Sequence, residues 1–90
     1  MQEGKVIALI EIFVDPALMD AVVKELCSID EVYEVYEVTG EFDIVIVTVS
    51  SSMESFRDML KNKIMKVKGI KTTVSSIVFK TDKEVKRPGS

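Results

Sequence analysis

The sequence predicts an α+β domain, one antiparallel sheet of four strands with two helices on one face, in the order β-α-β-β-α-β. Three observations carry this. Four stretches rich in β-branched residues are divided by two stretches whose apolar residues recur at helical spacing. The middle two strand-like stretches are joined by Gly40-Glu41 alone, a hairpin signature. With 90 residues, 47% hydrophobic and 30% charged, the chain has the size and composition of one globular domain.

Each element has its own reason. Lys5 to Val14 (KVIALIEIFV) is almost wholly apolar, which predicts a central strand buried on both faces. Asp15-Pro16 opens a helix, because aspartate can cap and proline's missing N–H is an orphan at the first helical position. Leu18, Val22, Leu26 and Ile29 form its inward stripe, with Ala21 beside them. In Glu31 to Thr39 (EVYEVYEVT), Val32, Glu34, Tyr36 and Val38 point one way, and Tyr33, Val35, Glu37 and Thr39 the other. Glutamate on both faces predicts an edge strand, where charge discourages stray pairing. Gly40-Glu41 reads as a two-residue type II′ turn, whose first position needs positive φ. Phe42 to Ser50 (FDIVIVTVS) returns, with Val38 opposite Asp43 and Tyr36 opposite Val45.

A second helix follows. Ser52 caps it, Glu54 suits its positive end, and Phe56, Met59, Leu60, Ile64 and Val67 supply the stripe. Lys61, Lys63, Lys66 and Lys68 crowd its last turns, and Gly69 is expected to end it. Ile70 to Lys80 is the last strand. The domain is placed at residues 1–81, with a polar tail at 82–90 that should fray. This is the split-βαβ, or ferredoxin-like, plan.

Two helices cover only one side of such a sheet, so the other side should be polar at every second position. The central strands break that rule. Ile7, Leu9, Glu11 and Phe13 alternate with Val6, Ala8, Ile10 and Ile12, and Val45, Val47 and Val49 alternate with Ile44 and Ile46. Several hundred Å² of apolar surface is left for something to cover, and covering it on two chains is worth roughly 10 kcal/mol before association costs. The expectation is a two-fold homodimer packed sheet to sheet. It also supplies the reinforcement that a small core needs, since Cys27 is the only cysteine and an internal disulfide is impossible.

Charge is unevenly laid out. Residues 1–50 hold eleven acids and two bases; residues 51–90 hold four acids and ten bases. That split favours self-association in which one half meets the other, although both halves could equally present solvated faces. The net charge of −3 argues against general nucleic-acid binding. The apolar run Val6–Ile10 is too short to span a membrane, and with one free cysteine the chain is read as cytoplasmic.

Catalytic chemistry finds little support. There is no histidine, so the commonest general base and transition-metal ligand is missing. Cys27 has no activating partner, no C-x-x-C exists for a metal, and the tyrosines Tyr33 and Tyr36 lie on the acidic edge strand, where exposed-sheet RNA binding would not place them. No cofactor and no metal are expected. Asp43 stands out, because a carboxylate just after a hairpin in an apolar strand needs a partner. It can bond nearby backbone N–H groups, or it can anchor the ammonium of a free amino acid, with Gly40 allowing close approach. Thr73 and Ser75, on one face of the last strand, are ordinary strand residues or hydroxyls offered to a carboxylate.

Val35-Tyr36-Glu37-Val38-Thr39-Gly40-Glu41-Phe42-Asp43 resembles the V-T-G-x-[YF]-D hairpin of the Lrp/AsnC regulators, in their ligand-binding RAM (regulation of amino acid metabolism) domain. Val67-Lys68-Gly69-Ile70 through Phe79 is similar to the family's P-G-V-x-x-T-x-T-x-I-V-L ending. Lys68 stands where the family often has proline, and Ser75 replaces a threonine while keeping a hydroxyl. The resemblance covers roughly residues 5–80. It implies a non-enzymatic domain that dimerises through its sheets, with dimers assembling into octamers or decamers and amino-acid effectors bound in clefts between them. On matching positions Gly40, Asp43, Thr73 and Ser75 would line the cleft, with Tyr36 and Val38 close by. No helix-turn-helix precedes the matched segment here, so the resemblance implies a stand-alone RAM protein. It would not bind DNA directly, and could influence transcription of amino-acid metabolism genes by co-assembling with full-length relatives. A small dimeric oxygenase-like enzyme and a ligand-free scaffold are the alternatives on the same fold.

Overall fold

A computed structural model describes residues 4–84. Its strands are β1 (Val6–Val14), β2 (Val32–Glu37), β3 (Ile44–Ser50) and β4 (Ile70–Ile77); its helices are α1 (Met19–Cys27) and α2 (Met53–Met59). A 3-10 turn, Pro16–Leu18, leads into α1, and a π-helical turn, Leu60–Ile64, prolongs α2. The sheet order is β2-β3-β1-β4 with every neighbour antiparallel, so β1 and β3 are central as expected.

Register sorts the side chains. Ile10 lies opposite Ile46 and Ile12 opposite Ile44. These four and Ala8 are completely buried beneath Val22 and Leu26 of α1 and Met59 and Ile64 from α2 and its extension, with Phe56 closing the layer. Each such side chain contributes about 1.5–3 kcal/mol by leaving water. The same alternation carries Thr48 and Ser50 under the helices, where their hydroxyls find no hydrogen-bond partner among the described residues. The opposite face has no helix over it: Leu9 is 41% exposed and Val74 45%.

Both helix starts follow the capping logic. Asp15 Oδ1 accepts from the Ala17 N–H at 3.0 Å, and Ser52 Oγ from the Ser55 N–H at 3.0 Å. Asp15, however, caps the 3-10 turn, and α1 proper begins at Met19. Ala21 is exposed; Val23 is the residue packed beside the stripe.

Three expectations are corrected. Regular β2–β3 pairing stops at Glu37 and Ile44, so the connection is a six-residue loop, 38–43, and not a two-residue turn. The register is nevertheless the expected one: Tyr36 faces Val45, and the Val38 N–H donates to the Asp43 carbonyl at 3.0 Å. β4 ends at Ile77 and not at Lys80. Finally, Gly69 does not end the second helix, whose helical turns stop at Ile64. Gly69 sits at φ +105°, and a Cβ there would lie 2.9 Å from both Leu18 Cβ and Val22 Cγ2. Its carbonyl accepts from the Asp15 N–H at 2.8 Å, so the glycine lets the chain before β4 press against the start of α1.

Candidate functional site

Asp43 lies where β1 and β3 part. Its N–H donates to the Ile12 carbonyl at 3.1 Å, and its Oδ2 accepts from the Val14 N–H at 2.9 Å. The carboxylate therefore stands in for a strand partner just beyond the last β1–β3 pair, Ile12–Ile44. That realises the backbone-bonding reading of Asp43. No described residue bonds the other oxygen, Oδ1. On the same loop, Gly40 is exposed at φ +116° with open space where a Cβ would stand, and Val38 is exposed. Tyr36 is on β2 opposite Val45, hence on the open face, and 43% exposed.

Thr73 and Ser75 are elsewhere. They lie opposite Ile12 and Ile10, on the helix-side face of β4 at the far edge of the sheet, Thr73 half-buried and Ser75 exposed. Three strand spacings, about 14 Å, separate that edge from β2, and two, about 10 Å, separate it from Asp43, whose N–H meets the same Ile12 that Thr73 faces. One chain thus carries Tyr36 on β2 and Val38, Gly40 and Asp43 on the loop to β3, with Thr73 and Ser75 on β4.

No local pattern signals the Asp43–Val14 bond, which joins residues 29 apart, or the ion pair between Lys63 Nζ and the Glu31 carboxylate at 2.9 and 3.0 Å. The hydrogen bond from Lys63 holds the Glu31 carboxyl below its ordinary range, and the same bond raises the Lys63 ammonium above its own. Among the described residues, no group of three histidine, cysteine, aspartate or glutamate side chains could hold a metal ion. None of the described helices is long and apolar enough to cross a membrane.

A four-stranded sheet with two helices on one side and an apolar, uncovered second side defines a ferredoxin-like α+β domain. The chain matches the family model described as "Lrp/AsnC ligand binding domain" over residues 7–88, and it belongs to that family. It is 30% identical over 79 residues to the HTH-type transcriptional regulator Ptr1 of Methanocaldococcus jannaschii, a match covering 84% of this chain and 53% of that protein. Among solved structures it is similar to AsnC of E. coli, with 29% identity and a TM-score of 0.86 over 91% of this chain and 56% of the other. The hypothetical protein PHS023 from Pyrococcus horikoshii matches with 25% identity and a TM-score of 0.78, over 86% of this chain and 93% of that one. The chain spans about half the length of the curated relatives it matches. Those relatives are named as transcriptional regulators, and the family is one of regulators and not of enzymes.

Proposed function

We propose that this chain is an amino-acid-sensing assembly module. A small free amino acid binds in a cleft shared between copies, and its occupancy shifts the equilibrium among oligomers and, through co-assembled full-length relatives, transcription of amino-acid metabolism genes. The observation that carries this is the state of Asp43: one carboxylate oxygen is fixed by the Val14 N–H, and the other has no partner among the described residues, on a loop that also holds Gly40 with open space around it. A carboxylate oriented in this way suits the ammonium of an amino acid. Thr73 and Ser75 of another copy supply hydroxyls for its carboxylate, with Tyr36 and Val38 lining the approach. The homodimer beneath this assembly forms through the open sheet face, whose apolar side chains have no cover in one chain.

The test is a thermal-shift screen of the protein against the twenty amino acids at millimolar concentration. One or a few should raise the melting temperature, because a ligand at about 100 times its Kd adds about 2.7 kcal/mol. If none does, the ligand-free scaffold is the better reading. Asp43→Asn decides the site: it keeps an oxygen for the Val14 N–H but removes the charge, so it should stay folded and lose the shift. An unchanged shift in that variant would move the site elsewhere.

A further inference from the structure

We infer that pairing through the open face is proton-linked by Glu11, so that two chains hold together more tightly as pH falls. This linkage rests on the sheet-to-sheet dimer proposed above. Glu11 lies midway along the central strand β1, opposite Val45 on β3 and Val74 on β4. Its chain neighbours Ile10 and Ile12 are completely buried under the helices, so alternation turns Glu11 to the open face, where it is half-buried. Leu9 and Phe13 flank it along β1, and Val47, Thr72 and Ser76 stand on the diagonals. A charge therefore sits near the middle of the patch that a second copy has to cover.

No hydrogen bond or ion pair reaches the Glu11 carboxylate among the described residues. The elements around it bring no cation to the face. β4 presents Thr72, Val74 and Ser76, and β3 presents Val45 and Val47. Asp43, just before β3, is acidic and already bonded to the Val14 N–H. The titratable groups of β2 on this face are Glu34 and Tyr36, two strand spacings or about 10 Å from β1. Lys5 precedes β1, six residues or about 20 Å from Glu11. Lys71 is three residues from Val74, at the register irregularity opposite the end of β1.

In one chain, water reaches the carboxylate from the open side. A second sheet closing on that side removes the water, and the valines and leucine around it offer no donor in exchange. A carboxylate that loses its water without gaining a cation favours the neutral acid. Two copies also bring two such groups into one interface, and their like charges add to the cost. The neutral acid can both donate to and accept from the hydroxyls of Thr72 and Ser76, whereas the charged form only accepts. The closed pair thus holds more protons than the separate chains at the same pH. Its Kd falls as pH falls, by up to about 100-fold per pH unit where two protons are taken up.

Fluorescence-detected sedimentation of the full chain tests this, with circular dichroism to confirm folding. Cys27, exposed at the end of α1 on the helix side, takes the label. Dilution series at about 0.5 M salt, which screens the remaining surface charge, give the dimer Kd at about pH 8 and about pH 5.5. The parent Kd should fall at least about tenfold between them. Glu11→Gln should bind more tightly than the parent at pH 8 and keep one Kd at both pH values. Glu11→Leu, a second variant should the first misfold, should be equally flat. Glu34→Gln should keep the parent's dependence. A parent Kd that does not move, a Glu11→Gln Kd that moves as the parent's does, or a Glu11→Gln dimer weaker than the parent at pH 8 would each overturn the linkage. A dimer of constant Kd sinks the linkage alone; parent and Glu11 variants that all run as single chains at every pH sink the sheet-to-sheet dimer itself.

Discussion

The two faces of β1 are both largely apolar, Glu11 being the one charge on the open side, and opposite in circumstance. Ile10 is completely buried under the helices, while its neighbour Leu9 is 41% exposed on the other side. The helix face is finished within one chain; the open face is apolar but for Glu11 and has no described helix over it. Alternation along a strand thus separates residues that make the domain fold from residues that give it a partner. The sharpest way to break the comparison is to place a charge on each side in turn. Ile10→Asp buries an unpaired carboxylate, costing several kcal/mol against a total stability of about 5 kcal/mol for so small a domain. It should be unfolded by circular dichroism. Leu9→Asp should keep the parent spectrum and sediment as a single chain at micromolar concentration. A Leu9→Asp protein that remains a dimer would show that the open face is not the interface.

Gly69 probes the finished face from its rim. Gly69→Ala adds a methyl where Leu18 Cβ and Val22 Cγ2 would lie 2.9 Å away, at a φ that L-residues rarely adopt. Strain and overpacking together should lower stability by about 2–4 kcal/mol, read as a drop in the urea midpoint. Leu18→Ala in the same chain should recover little of the loss, since alanine keeps the Cβ that the new methyl meets and the Val22 contact and the backbone strain remain.

Why some of this was legible in the sequence and some was not follows from distance along the chain. Periodicity, caps and the hairpin are local patterns, and they give the element order, the central placement of β1 and β3 and the Tyr36–Val45 register. Gly69 was misread because a glycine after a helical stripe looks the same whether it ends the helix or admits a neighbouring one. The difference lies in Leu18, about fifty positions earlier. Asp43 was singled out from its context, but its Val14 partner comes from another strand. The placement of Thr73 and Ser75 on β4, across β1 from Asp43 and at the far edge from Tyr36, follows from strand order; a list of matching positions does not contain it.

Asp43 also separates structural from ligand-directed roles more finely. Asp43→Ala leaves the Val14 N–H without its acceptor and should cost about 1–3 kcal/mol of stability. Asp43→Asn should cost clearly less in the same urea titration. Equal losses in the two variants would mean that the negative charge, and not the acceptor oxygen, holds the end of β1.

The smallest effect belongs to the Glu31–Lys63 pair, which ties the residue before β2 to the π-helical turn on the helix side. Its sign with pH is fixed by the two shifts. The Glu31 carboxyl titrates below its ordinary 4.5 in the folded chain, so its contribution is complete above that value and is lost as pH falls through the lowered one. Lys63 titrates above its ordinary 10.5, so its contribution is complete below that value and is lost as pH rises through the raised one. Glu31→Gln removes both. The difference in urea midpoint between parent and Glu31→Gln should be flat across neutral pH, vanish at both extremes and shrink with added salt, as expected of an ion pair that water reaches. A difference that grew toward acid pH would mean that Glu31 acts through its protonated form, against the hydrogen bond seen from Lys63.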